Sequence, residues 1–386
     1  MKLNYPFKAI ALCCFITFFV SGCGNSSKSG EYGYKELHSN ADGITFEDFR
    51  IVELSKDVPL GPVNKIAVED SLIFICSNER LYSYRMDGSF NTAYGMQGRA
   101  GNEYINLSAF YVNKETKQIC IIDATSGKFL YYGYDGAFIK KQELDALSKK
   151  LNFLYDVRLL PDGRLFAHNR IYNDSGLLFA VIDLNDGSIT DFKSVPFSTD
   201  NTAEYCGEHL CNVFDGHLYY ILPFDPYIYV LNGDKGTVRL EIPGVDNVPT
   251  KSEIESITDY NFFKGYNMYS EGKFVGFSGM FETDSLIFFN ELEQRNYYII
   301  DKNSGKQKRY QYSLDDDFKT LPVKSIKASF KDWLIGVSEP MNLIQMCEDM
   351  PKNPSDPYLK KLRDTADKTT LESNPVLLFY KIRSIQ

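Results

Sequence analysis

The 386-residue sequence is short of the residues that most often betray a mechanism. It holds four histidines (His38, His168, His209 and His217) and one tryptophan, Trp333. There is no HExxH helix, GxSxG nucleophile elbow, CxxC pair or EF-hand loop, which removes the chemistries that those spacings serve. Basic charge is also scarce. Forty-two Lys and Arg face 51 Asp and Glu, for a net charge of −9, and this argues against nucleic acid as a partner. Beyond the N-terminus no stretch approaches the ~20 uncharged apolar residues of a membrane span. What the chain does have is aromatic bulk. Phe and Tyr number 28 and 27, a composition that suits β-strands better than helices.

The N-terminus reads as an address. Lys2 and Lys8 precede Ala9–Val20, an uncharged and largely apolar run too short to span a bilayer and of the right length for a signal-peptide core. Val20-Ser21-Gly22-Cys23 then matches the lipobox of a bacterial lipoprotein signal: a branched apolar residue, two small ones, and the cysteine that takes the lipid. Residues 1–22 are therefore expected to be removed, Cys23 to be lipidated, and 23–43, rich in Gly, Ser and Asn at its start, to form a tether. Loss of 1–22 takes two lysines and no acids, moving the net charge from −9 to −11. Five cysteines remain beyond Cys23. Cys76 and Cys120 sit within apolar strands, where an inert buried thiol is expected. Cys206 and Cys211 are close enough for a local disulfide, and their spacing lacks the second pair that a zinc site needs.

From 44 onward the sequence repeats. Each copy has a turn residue, a short apolar strand, a polar interval, an aromatic strand and then Asp-Gly or a relative. The apolar strands begin near Leu72, Gln118, Arg164, His217, Leu286 and Trp333. Their spacing, mostly 46 to 53 residues, matches the ~40–50 residues of a four-stranded propeller blade. The longer step between the fourth and fifth copies implies an insertion, placed at Lys251–Tyr269. Ile44–Leu54 is a strand with no nearby hairpin partner, and Val376–Ile382 is the last strand of the chain. Pairing these two would clasp the ring. The reading is an all-β, six-bladed propeller over 44–386, closed by its N- and C-terminal strands. Lys141–Leu151 and Ser355–Asp367 have the spacing of short surface helices.

Three features then resemble six-bladed β-propeller lipoproteins of Bacteroidetes, akin in architecture to TolB-like and NHL-type propellers. They are the lipobox with its polar tether, the stretch Tyr94-Gly-Met-Gln-Gly98-Arg-Ala-Gly101-Asn-Glu103-Tyr104, and the closing Asn374-Pro-Val-Leu-Leu-Phe-Tyr-Lys-Ile-Arg383. The glycine-rich stretch departs from the family pattern at Ala100 and Asn102. Gly98 and Gly101 suit a tight loop between blades, while Glu103 and Tyr104 either face the central channel or pin the loop to the next blade. The resemblance implies an envelope protein held in the outer membrane by its lipid, with the periplasmic face favoured because no acidic residue directly follows Cys23. It fixes architecture better than function, and the role expected for this chain is binding or scaffolding of a protein or glycan partner, without catalysis or cofactor. The rival is a calcium-dependent lactonase or esterase, which needs oxygen ligands converging on the channel. Glu69, Asp123, Asp156 and Asn290 are its candidates. A glycan- or peptide-binding rim rich in Tyr is the third reading.

Overall fold

The computed structural model describes residues 38–39, 44–151, 154–170, 176–195, 208–242, 244–255, 268, 271–292, 296–311, 326–348 and 350–385. Cys23, Cys206 and most of the expected insertion lie outside them. The chain begins with β1 (His38–Ser39) and β2 (Ile44–Glu53), then builds antiparallel sheets in succession. Blade 1 is β3 (Val63–Glu69), β4 (Leu72–Ser77), β5 (Arg80–Arg85) and β6 (Phe90–Tyr94). Blade 2 is β7 (Ala109–Asn113), β8 (Gln118–Asp123), β9 (Lys128–Gly133) and β10 (Phe138–Glu143). Blade 3 is β11 (Leu154–Leu159), β12 (Leu165–Asn169), β13 (Leu177–Ile182) and β14 (Ile189–Ser194). Blade 4 is β15 (Cys211–Phe214), β16 (His217–Ile221), β17 (Tyr227–Asn232) and β18 (Lys235–Glu241). Blade 5 is β19 (Phe277–Glu282), β20 (Leu286–Glu291), β21 (Asn296–Asp301) and β22 (Gln307–Gln311). Blade 6 takes β23 (Ile326–Phe330), β24 (Trp333–Ser338) and β25 (Val376–Ile385) from the end of the chain and β2 from its start, with β1 added outside β2.

The first strands β3, β7, β11, β15, β19 and β23 lie against one another in turn, and β23 returns to β3, so the ring is closed. Apolar side chains collect between neighbouring blades because no single sheet can bury both of its faces. One cluster joins blades 1 and 2 through Phe74, Phe110 and Tyr132, and another joins blades 6 and 1 through Phe379, Ile335 and Ile73. Turn chemistry fixes the hairpins. Asp215-Gly216 links β15 to β16 with both residues at positive φ, 48° and 71°, as a two-residue hairpin turn requires.

The closure expected from the sequence is present. β2 pairs with β25 from Ile44↔Ile385 to Glu53↔Val376. Asn374, buried just before β25, fastens the seam with its side chain. Its Oδ1 accepts from Leu60 N at 2.8 Å, and its Nδ2 donates to Ser55 O at 2.7 Å and to Val58 O at 2.8 Å. Trp333 on β24 stands over the same seam. It meets Phe379 of β25 edge-on at 6.1 Å, and the Arg50 guanidinium of β2 lies 5.5 Å from its ring.

The sequence frame needs one shift. The six strands taken as the start of each repeat are the second strands of the blades, β4, β8, β12, β16, β20 and β24. The true first strands precede them and face an open channel, so their pattern is mixed, as in VNKIAVE and IKASF. Of the two expected helices, 141–151 forms in part: β10 runs to Glu143, and Asp145–Lys150 is helical. The other forms as Pro357–Ala366, capped by Asp356, whose carboxylate accepts from Tyr358 N and Leu359 N. A further helix, Pro340–Glu348, was not anticipated. In the insertion, Lys251–Glu255 is helical. Cys211 is a buried thiol, pushed up to about 12 by burial, and Cys206, its expected disulfide partner, lies outside the described residues.

Candidate functional site: the central channel

The first strands line the ring axis, so side chains that they aim inward meet there. Lys65 comes from β3, Asp156 and Arg158 from β11, and Lys327 from β23. Glu208 and His209 lie just ahead of β15. His209 is held against β19 by a parallel bridge to Gly279, donating its N–H to Ser278 O at 3.0 Å and accepting from Met280 N at 2.9 Å. Two cavities open along the axis. One, of about 370 Å³, lies at the start of the first strands and is bordered by Tyr155, Arg170 and Glu208. The other, of about 760 Å³, lies at their ends. Lys65, Phe110, His209 and Lys327 line both, so they form the waist between them.

Electrostatics at the waist centre on Asp156, which is buried. Lys65 Nζ hydrogen-bonds its Oδ1, and Arg158 Nη1 stands 2.6 Å from its Oδ2 in an ion pair whose geometry falls short of a hydrogen bond. Burial alone would raise the Asp156 carboxyl, but Arg158 and Lys65 overrule it and hold it down at about 2. Lys65 is pushed down, by burial first and by Arg158, against the pull of Asp156. One carboxylate shared by two cations satisfies both statements: it stays ionised, while one cation is in excess. Lys65 also donates to Phe110 O at 3.0 Å and lies over the Phe110 ring. Lys327 pairs with Glu208 at 2.8 Å. Burial drives His168 and His209 down to about 3 despite Asp156 nearby, so both are neutral at pH 7. His168 lies opposite Asp156 in the β11–β12 pair, with neither ring nitrogen hydrogen-bonded, and His209 Nε2 also has no hydrogen-bond partner.

The four residues singled out in the glycine-rich stretch lie elsewhere. Glu103 folds back to accept from Ala100 N at 2.7 Å, and a Cβ on Gly98 would meet its Oε2. Tyr104 is buried between blades 1 and 2, and open space surrounds Gly101. None of the four lines either cavity. The calcium candidates do not converge. Asp123 closes a turn by accepting from Ile105 N and Ser126, and Asn290 sits on a second strand. Glu69 stands at the far end of β3, and Asp156 is already neutralised by two cations. Among the described residues no group of three or more His, Cys, Asp and Glu is arranged to hold a metal. Of the histidines, His217 is exposed at a turn, with Nδ1 2.8 Å from Asp215 O, while His209 stands at the waist. Lys65, Arg158 and Lys327 carried no sequence signal, since a lone cation in a short strand looks like a solvated face.

An exported protein of Bacteroides fragilis, so assigned, is similar in structure, with a TM-score of 0.68 and 23% identity over 89% of this chain and 97% of that one. A DUF4221 family member from Bacteroides vulgatus overlaps at 0.55 and 10% identity over 91% and 99%. Both establish the propeller fold. A protein assigned as a gluconolactonase overlaps at 0.43 and 10% identity over 88% and 94%, too little to carry chemistry across. No curated protein matches in sequence. The model of a domain of unknown function, DUF4934, matches residues 41–381, nearly the whole of the propeller, and the chain belongs to that family.

Proposed function

We propose that this chain is an exported lipoprotein whose propeller binds a ligand in its central channel and does no chemistry on it. The observation that carries the reading is the waist, where a cluster of charged side chains and an imidazole nitrogen without a hydrogen-bond partner border two open cavities on the ring axis. Cavities of this size suit a small ligand or the end of a peptide or glycan. The lipobox at Val20–Cys23 supports anchoring through Cys23 in the outer membrane, on the periplasmic face. No described helix is long and apolar enough to cross a membrane.

The binding role is tested by thermal shift of the mature chain against saccharides, peptides and organic acids, run beside lactone and ester hydrolysis with and without calcium. Stabilisation without turnover is expected, and calcium-dependent hydrolysis would overturn the reading. For the anchor, Cys23→Ser should leave the protein in the soluble fraction after export, and continued membrane fractionation in detergent-free buffer would rule out this lipid as the anchor. Rapid digestion of the mature chain by protease on intact cells would place it on the outer surface instead.

A further inference from the structure

We propose that the channel waist is an oxyanion site, taking a small molecule that carries a carboxylate or phosphate group between Lys65, Lys327 and His209, with its body against Phe110. The proposal rests on the binding reading above and names its ligand class. Charge is the first ground. Among the described residues three cations meet at the waist (Lys65, Arg158 and Lys327) against two carboxylates, Asp156 and Glu208. Both neighbouring imidazoles are neutral, so they add no charge of their own. The rims do not cancel this excess. At the wider mouth Lys114 and Lys140 balance Glu69 and Glu115, and the narrower cavity is bordered by one charge of each sign, Arg170 and exposed Glu79. A cationic waist inside an acidic protein draws field lines to one place and favours anion entry there.

The second ground is independent of charge. His209 is 6% exposed, its Nε2 has no hydrogen-bond partner, and it lines both cavities. A buried polar atom left unpaired is costly, and a ligand that pairs with it recovers that cost. In the tautomer with hydrogen on Nε2, the ring donates to an oxyanion from the side opposite Lys65 and Phe110 in the ring order of strands. A metal cation at the same place would face Lys65, Arg158 and Lys327 together.

Isothermal titration of the mature chain with inorganic phosphate, citrate, galacturonate and neutral galactose tests the assignment. At least one anionic probe should bind tenfold or more tightly than galactose; citrate and galacturonate report a carboxylate site, phosphate a phosphate site. Lys327→Met and His209→Gln should each weaken that probe at least tenfold, and Lys327→Gln is the second variant if Lys327→Met fails to fold. Binding unchanged in folded variants at both positions would overturn the placement. If galactose binds and no anion does, the channel is still a binding site and the oxyanion assignment falls. If no anionic probe binds, the assignment falls as well, and the binding reading is then decided by the wider thermal-shift screen.

Discussion

Asn374 satisfies three backbone groups from the segment after β2, so Asn374→Ala leaves them unpaired near a buried seam. At ~1–3 kcal/mol for a buried group stranded without a partner, tempered by water entry, a loss of about 3 kcal/mol is expected by urea unfolding. His168 and His209 set an acid limit. Their folded pKa values near 3 lie below the ~6.5 of the unfolded chain, so below pH 6.5 the unfolded state takes up protons that the folded state refuses. Stability is therefore full above about 6.5 and declines as pH falls toward 3, by up to about 1.4 kcal/mol per pH unit for each ring. The slope of the urea midpoint between pH 7 and pH 5 should flatten in a His168→Gln, His209→Gln double variant; an unchanged slope would mean that neither ring is the cause. The importance of Asn374 was legible as part of the closing motif, but that of His209 was not, because its neighbours at the waist come from strands scattered through the chain.

At the level of elements, the hairpin turns separate two effects that a glycine can have. Gly88, between β5 and β6, and Gly163, between β11 and β12, both sit at φ +86° in turns with the same local hydrogen bonds. A Cβ at Gly88 would lie 2.1 Å from the Glu53 carbonyl oxygen, which is backbone and belongs to β2, whereas nothing lies within 4 Å of one at Gly163. Gly163→Ala should cost only the left-handed penalty of ~1–2 kcal/mol. Gly88→Ala must also push blade 1 off β2, and at least 2 kcal/mol more is expected in thermal unfolding; equal losses would show that the turn swings clear. Elements were the most readable scale in the sequence. Asp-Gly turns and aromatic strands gave the repeat and its period, because those strands are buried on both faces and need a continuous apolar run. The first strands escaped because one of their faces meets water in the channel. The 141–151 segment was misread because alternating Lys, Gln and Glu on an outermost strand mimics the polar face of a helix.

For the whole molecule, the ring stands or falls with its seam. Removing residues 375–386 takes β25 from between β24 and β2, exposing two edges and the faces that Leu377, Leu378, Phe379 and Tyr380 cover. Those four side chains, at ~1.5–3 kcal/mol each, rival the ~5–15 kcal/mol margin of a domain. The truncated chain should fail to accumulate in soluble form, and a soluble product with an unchanged melting temperature would contradict the clasp. The seam also has a consequence in time. Blades 1 to 5 are assembled from strands consecutive in the chain, whereas Asn374 must find Ser55 across 319 residues. Contacts so distant along the chain carry the heaviest loop-closure penalty, so closing the ring is the slow, late step of folding. The protein carries its own clock for it. Trp333 is the sole indole, and its ring is bounded by Phe379 on one terminal strand and Arg50 on the other. In stopped-flow refolding its fluorescence should therefore lag behind the far-ultraviolet dichroism of the blades, reporting the instant at which an open helix of sheets becomes a circle.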